Sequence, residues 1–277
     1  MKNYQKILFP YAYNILGSVE DAKDAVQDVL TKHVSVERKH FENEIGYLVK
    51  SVINQSINIK NRKNKIESYK VWLPEPISTE KTDDNINREE IISYSLLVLL
   101  ENLTPKERAV YILKIAFNYS HKDIAEVISL TIENSRKLLS RAKTKLSNHT
   151  IESTRSGPSD SSSYMNNYVQ TIKDGDVRRL EKMLSEDILL YADGGENIKV
   201  VRELTTGKKA TLDLLFYVFN THQKSLSVKT TEINHQPALL FYKGDSLINC
   251  QVFDLEGNKT KRIFSVIDPN KLKSLSR

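Results

Sequence analysis

Over the first 70 residues apolar side chains recur every three or four positions, without strict alternation or hairpin signals, so the pattern predicts helices throughout. It breaks at Trp72-Leu73-Pro74-Glu75-Pro76, where two prolines bracket one residue and dictate a stiff, extended segment outside any helix. A polar stretch follows over 78–87, and helical spacing resumes from about residue 89 to 146. A second break at 153–163, rich in Ser and holding Gly157 and Pro158, reads as a flexible linker. The texture then changes. Helices are predicted near 164–173 and 176–184, the second entered through Asp174-Gly175-Asp176, and a third near 208–220. Strand-like runs cover 226–233, 238–242, 247–255 and 259–267, with Lys243-Gly244-Asp245 and Glu256-Gly257-Asn258 as hairpin turns. Helices followed by a curved antiparallel sheet make an α+β domain. The expected organisation is multidomain: an all-α domain over 1–70, a linker over 71–90, a second all-α domain over 91–150, a flexible linker over 151–163 and an α+β domain over 164–277.

The most specific local signal lies between Leu103 and Leu146. Thr104 is placed to cap a helix that Pro105 opens, and Glu107 completes a capping box. A short helix is predicted over 120–128 with Ile124, Ala125 and Ile128 facing inward. Ala125 lies where two helices cross closely, and a larger side chain there would push them apart. Ser129-Leu130 makes a turn, and Thr131 caps a following helix through Arg136, Leu139, Ala142 and Leu146. This is a helix-turn-helix, whose second helix enters the major groove with its N-terminal residues against base edges. Those residues are Ile132, Glu133, Asn134, Arg136 and Lys137, with Ser140 a turn later. Asn suits adenine, Glu suits cytosine, and Arg or Lys suits guanine or phosphate. Arg141, Lys143 and Lys145 are better placed to hold phosphate than to read sequence. The plain alternative is a helical hairpin with a charged face.

Near the N-terminus, Gly17 and Ser18 precede a helix on which Asp21, Asp24 and Asp28 fall at i, i+3 and i+7, one carboxylate stripe, with Ala22, Val26 and Val29 on another face. Such a stripe repels DNA and meets either a basic protein partner or plain solvent. Net charge is only +6, but its distribution matters. Lys60, Arg62, Lys63, Lys65 and Lys70 crowd one segment, and Arg136, Lys137, Arg141, Lys143 and Lys145 another. Two local basic clusters suit a polyanion better than an evenly basic surface does. The longest apolar run, 91–100, is broken by Ser93 and Ser95 and is too short to span a bilayer. The N-terminus lacks a small-residue cleavage site, so no signal peptide and no membrane partner are expected. The single cysteine, Cys250, forms no internal disulfide, which fits a reducing cytoplasm. The six histidines show no ligand spacing, so neither a metal nor another cofactor is expected.

The stretches 103–108, 119–128 and 136–146 resemble region 4 of bacterial extracytoplasmic-function sigma factors, which binds the −35 promoter element. The resemblance assigns that role to Thr131, Glu133, Asn134, Arg136, Lys137, Ser140 and Arg141. Ser129 departs from the family, which has Gly in this turn; a left-handed non-Gly residue costs about 1–2 kcal/mol. Residues 16–28 resemble region 2 of the same family and imply docking on the RNA polymerase clamp through Asp21, Asp24, Gln27 and Asp28. The likeness continues through Glu44-Ile45-Gly46-Tyr47-Leu48 and Asn54 to Lys65, parts that face the melted −10 element in the family. Single-strand capture needs cations along the backbone; Arg38, Lys39, Asn54, Lys60, Arg62 and Lys63 are the candidates, while Tyr47 reads as a core residue rather than a stacking platform.

The linker Trp72-Leu73-Pro74-Glu75-Pro76 resembles that of a subgroup carrying a fused SnoaL-like cone, an α+β fold. Asp193-Gly194-Gly195 resembles its glycine-rich motif, with Glu196 replacing a further Gly. Asp268-Pro269-Asn270-Lys271-Leu272 resembles its C-terminal motif with polar residues exchanged. The resemblance implies a sigma factor that binds core RNA polymerase and promoter DNA, directs promoter-specific initiation, and is regulated in cis by its last domain, on which a small-molecule or protein effector would act. The alternative is a stand-alone helix-turn-helix regulator with a small-molecule-sensing C-terminal domain; the acidic stripe and a second DNA-facing region argue against it. Cones of this type also occur as enzymes, but Asp193, His235 and Tyr242 form no recognisable acid–base spacing, and fold likeness does not carry catalysis over. No enzyme activity is expected.

Overall fold

The computed structural model describes residues 4–35, 43–63, 71–80, 87–147 and 161–275. They fall into two units: a helical one with the described residues of 4–63, 87–92 and 96–147, and an α+β one with 71–80, 93–95 and 161–275. Residues 71–80 of the linker therefore belong with the C-terminal unit, and 87–90 with the helical one.

In the helical unit α1 (Tyr4–Leu16), α2 (Val19–Ser35) and α3 (Glu44–Lys63) pack together. Ala12 and Ile15, Ala22 and Val26, and Leu48, Val52 and Ile53 are buried, each set at helical spacing on one face. Gly17 ends α1 at φ 73°, a left-handed conformation open to a residue without Cβ, and its N–H donates to the Tyr13 carbonyl at 2.7 Å. Ser18 Oγ then accepts the Asp21 N–H at 3.2 Å and caps α2. The second half contains α5 (Pro105–Ile115), α6 (His121–Val127) and α7 (Ile132–Ser147), preceded by α4 (Tyr94–Leu99), whose first two residues belong with the α+β unit. Thr104 and Glu107 form the expected capping box; Ser120 and Asp123 form a second one on α6.

A buried ion network joins α3 to α5. Glu101 accepts from Lys60 Nζ at 2.7 Å and from the guanidinium of Arg108, which has no exposed surface. Arg108 Nε also donates to the Asn14 carbonyl at 3.0 Å. Burial pushes the Glu101 carboxyl up, but Arg108 and Lys60 outweigh it and hold the group below the ordinary carboxylate range.

The α+β unit opens with α8 (Ser161–Lys173) and α9 (Val177–Met183), continues through β1 (Leu184–Asp193), β2 (Leu204–Thr206) and α10 (Lys208–Val218), and ends with β3 (Ser227–Ile233), β4 (Gln236–Lys243), β5 (Ser246–Glu256), β6 (Lys259–Val266) and α11 (Pro269–Leu272). Its sheet has the order β2-β1-β6-β5-β4-β3. Tyr168, Leu180, Ile188, Leu215, Leu239, Phe253 and Ile263 form the core between helices and sheet. The sheet departs from the antiparallel expectation: β1 pairs with β6 in parallel. Only the tertiary fold sets that pairing, because the two strands are far apart in sequence and α10 and four strands intervene. Strand β1 itself is legible only weakly, since the charged pair Glu186-Asp187 interrupts its alternation before Ile188, Leu190 and Ala192 turn inward. The β3–β4 hairpin turns on Asn234 and His235, at φ 47° and 60°, a two-residue turn of the left-handed type that matches strand twist.

Candidate nucleic-acid and partner interfaces

On α7, Ser135, Leu139, Ala142 and Leu146 are buried against the helical core. Glu133, Asn134, Arg136, Lys137, Ser140, Arg141, Lys143 and Lys145 are exposed on its outer surface. Thr131 Oγ1 accepts the Asn134 N–H at 3.1 Å and fixes the helix start. The preceding turn puts Ser129 at φ 53°, the left-handed conformation expected there, and Ala125 is buried at the crossing. Lys137 pairs with Glu133 at 2.7 Å and Lys145 with Glu107 at 2.7 Å. Among the described residues Arg136, Arg141 and Lys143 have no ion-pair partner. His121 at the start of α6 places Nδ1 2.9 Å from Ser135 Oγ and ties the two helices of the motif together. Burial, then Lys114, Arg136 and Lys143, hold the His121 imidazole below its ordinary pKa.

The acidic stripe forms on α2 as its spacing requires. Asp24, Gln27 and Asp28 are exposed, Asp28 accepts from Gln55 Nε2 at 3.2 Å, and Asp21 pairs with Lys63 at 2.7 Å. Asp21 and Lys63, read as contacts for different partners, thus hold each other. Lys60 is 7% exposed and donates to the Leu16 carbonyl at 3.1 Å as well as to Glu101, so its charge is withdrawn from the surface. Asn54 Nδ2 donates to the Val127 carbonyl at 2.8 Å, which joins α3 to the end of α6. Arg62 is exposed, and Arg38 and Lys39 lie outside the described residues. Tyr47 corrects the sequence reading: it is 41% exposed, on the side of α3 away from buried Leu48 and Val52, with its ring 6.1 Å from that of His33.

The linker residues are bound within the α+β unit. Leu73 is fully buried, Pro74, Pro76 and Ile77 are buried, and Trp72 and Glu75 are half-buried. At the end of β1, Asp193 Oδ2 accepts the Leu73 N–H at 2.8 Å and Lys271 Nζ at 2.6 Å. Lys271 Nζ also donates to the Leu73 carbonyl at 2.7 Å and lies 4.4 Å from the centroid of the Trp72 ring. One carboxylate and one ammonium together satisfy both backbone polar groups of Leu73. The glycines are dictated by contact. A Cβ on Gly194 would lie 2.0 Å from the Ile198 carbonyl oxygen; one on Gly195, at φ 65°, would lie 2.4 Å from Asp268 Oδ2. Asp268 caps α11 by accepting the Asn270 N–H at 3.0 Å, Pro269 opens that helix, and Leu272 is buried.

Sequence reasoning missed a second grip further along the linker. Ile77 N–H donates to Asn234 Oδ1 at 3.0 Å and Asn234 N–H to the Ile77 carbonyl at 2.9 Å. Thr79 Oγ1 donates to Glu232 Oε1 at 2.6 Å, Tyr94 OH to the Pro74 carbonyl at 2.6 Å, and Ser95 N–H to Gln236 Oε1 at 2.6 Å. The available signal was the Asn234-His235 pair between two strand-like runs, a turn dipeptide whose Asn side chain can hydrogen-bond backbone. Among the described residues no group of acids, histidines and cysteines could hold a metal ion, and no helix is long and apolar enough to cross a membrane. Asp193 is engaged by Lys271, His235 sits in the hairpin turn, and Tyr242 lies at the opposite end of β4.

Residues 93–146 match the model of sigma-70 region 4. The chain is 20% identical over 278 residues to the probable ECF RNA polymerase sigma factor SigI of Mycobacterium tuberculosis, covering 98% of this chain and 93% of that protein. It is 28% identical over 142 residues to ECF RNA polymerase sigma factor SigJ of the same organism, covering 49% of this chain and 45% of that one. The fold matches a crystal structure of M. tuberculosis SigJ with a TM-score of 0.78 at 19% identity, covering 98% of this chain and 96% of that one.

Proposed function

We propose that this chain, a sigma factor of the extracytoplasmic-function class with a fused SnoaL-like domain, is regulated in cis by that domain through its hold on the linker. As a sigma factor it binds core RNA polymerase and promoter DNA and directs promoter-specific initiation. The relatives lend no support to a stand-alone helix-turn-helix regulator. Within this function we assign residues 1–70 to region 2, 71–90 to the linker, 91–150 to region 4, 151–163 to a second linker and 164–277 to the regulatory domain. Region 4 reads the −35 element through Asn134, Arg136, Lys137, Ser140 and Arg141, with Thr131 and Glu133 at the helix start. Region 2 docks on polymerase through Asp24, Gln27 and Asp28, and Asp21 joins them when Lys63 turns to DNA. Arg62 meets the −10 strand in the arrangement described, Lys63 once it leaves Asp21, and Lys60 and Asn54 only once region 4 moves off α3.

The observation that carries the regulatory reading is the double engagement of the Leu73 backbone by Asp193 and Lys271. Two DNA-binding regions must straddle a fixed promoter spacing, so a domain that fixes their linker controls both. Because the domain is tethered, even a weak contact is populated at high effective concentration. An effector, small molecule or protein, changes the output only by binding the held and released arrangements with different affinity. The domain acts as a regulator and not as an enzyme; the engagement of Asp193 with Lys271 and Leu73 supports this, since it removes the best-placed acid from chemistry. The test is reconstituted transcription with core polymerase, comparing the full chain, Trp72→Ala, and a chain ending after Leu146. Release of the linker should change promoter output in both variants. Equal output from all three would refute cis regulation.

A further inference from the structure

We propose that His121 is a proton-sensitive seat for a DNA backbone phosphate, which it shares with Lys114, Arg136 and Lys143. The four side chains come from three consecutive helices: Lys114 from α5, His121 from α6, Arg136 and Lys143 from α7. Lys114 Nζ donates to the Tyr119 carbonyl at 3.0 Å, which fixes its charge beside the turn that enters α6. Arg136 and Lys143, seven residues apart, stand two turns apart on one stripe of α7. Ser135, buried next to Arg136, orients the imidazole through Nδ1. Among the described residues the other ring nitrogen, Nε2, makes no hydrogen bond.

The nearby acids are committed elsewhere. Asp123 on α6 accepts from Ser120 N–H at 3.0 Å and Ser120 Oγ at 2.6 Å, and Glu133 on α7 pairs with Lys137. Lys122 adds a further exposed cation on α6. Like charges crowded in this way are relieved by an anion. A helix-turn-helix lays its first helix across the DNA backbone, where the anion is a phosphate. The Ser135 hydroxyl serves both states of the ring: it donates to Nδ1 of the neutral imidazole and accepts from Nδ1–H of the charged one. The charged ring then presents Nε2–H and a full positive charge to phosphate.

In the unbound chain burial and the three cations disfavour the charged ring. A phosphate offsets those cations, so the bound state holds the proton more tightly than the unbound state. Affinity for DNA therefore rises as pH falls through the bound pKa and levels off below the unbound one. The gain is about tenfold for each unit that separates the two.

The experiment uses the full chain and a fluorescein-labelled duplex of arbitrary sequence, two helical turns long, at low salt. Between about pH 7.5 and pH 5.5, the range in which histidine titrates, the native chain should tighten several-fold, and its logarithmic salt slope should steepen by about one at the lower pH. His121→Gln should bind alike at both pH values. His121→Lys, permanently charged, should bind tightly at both, a rescue that a purely structural role for the ring would not produce. In parallel, the C2–H titration of His121 followed by NMR in the unmodified chain should move to higher pH when the duplex is added. A pH dependence shared by the native chain and His121→Gln, or a His121 titration that the duplex leaves in place, overturns the proposal. Neither result touches linker control, which is read by transcription.

Discussion

Replacing Asp193 by Asn keeps the shape of the side chain and removes its charge at the centre of the linker contact. Lys271 then remains as a buried cation without its carboxylate; the two residues are 8% and 5% exposed. Stripping one partner from a buried ion pair costs about 3–5 kcal/mol. Part of this is recovered, because Lys271 Nζ keeps the Leu73 carbonyl and the Trp72 ring. The expected loss is therefore near the lower end, about 3 kcal/mol, or about a hundredfold in the opening equilibrium of this contact. Lys271→Met should cost less, since the Asp193 carboxylate retains backbone donors from Leu73 at 2.8 Å and Gly195 at 2.8 Å. The double variant should fall short of the sum of the singles by at least about 1 kcal/mol, as for residues in direct contact. Amide exchange at Leu73, followed by mass spectrometry in the full chain, measures the opening directly. Acceleration confined to residues 71–77 supports the argument. Asp193→Asn that changes Leu73 exchange by less than about threefold, with the α+β unit folded, would refute it, because the ion pair would then contribute nothing to holding the linker.

Two further outcomes test the helical unit. Glu101 is held below its ordinary pKa, so it contributes stability at pH values above the unfolded carboxylate value, and that stability disappears as pH falls through the lower folded value; Glu101→Gln should destabilise the helices at neutral pH by about 3–5 kcal/mol and flatten the acid limb of a circular-dichroism titration, whereas an unchanged acid limb would remove Glu101 from the network. Ser129→Gly relieves a left-handed residue worth about 1–2 kcal/mol against a glycine entropy cost of about 0.5–1 kcal/mol, so urea unfolding should show a gain of up to about 1 kcal/mol, and a loss would mean that the hydroxyl makes a compensating bond.

The helix-turn-helix was legible in the chain because its determinants are local. Thr104, Pro105 and Glu107 lie within four residues of one another, Ser129 marks the turn, and the buried positions of α7 follow helical spacing. The acidic stripe of α2 was legible for the same reason, as were β3 to β6 and the two turns that join the last three of them. Local propensity and periodicity carry such features without knowledge of what packs where. The linker string and the two C-terminal motifs could be recognised in the sequence, but nothing local says that Lys271 reaches back to Leu73, 198 positions earlier.

Tertiary structure alone decided which ionisable groups remain at the surface. Lys60, Arg62 and Lys63 read as one basic run, yet Lys60 is drawn inward to Glu101, Lys63 turns to Asp21, and Arg62 stays exposed. Successive helical positions point about 100° apart, so which of them meets a carboxylate depends on the helices packed alongside. The same holds for Tyr47, turned outward although its neighbour Leu48 is buried, and for β1, whose parallel pairing with β6 needs a partner more than sixty residues away. Local physics in the sequence determined the helices, strands β3 to β6 and the motifs they carry, but not β1 and β2. Burial and ion pairing, properties of neighbours distant along the chain, determined which charged side chains are left to meet DNA, polymerase or the linker.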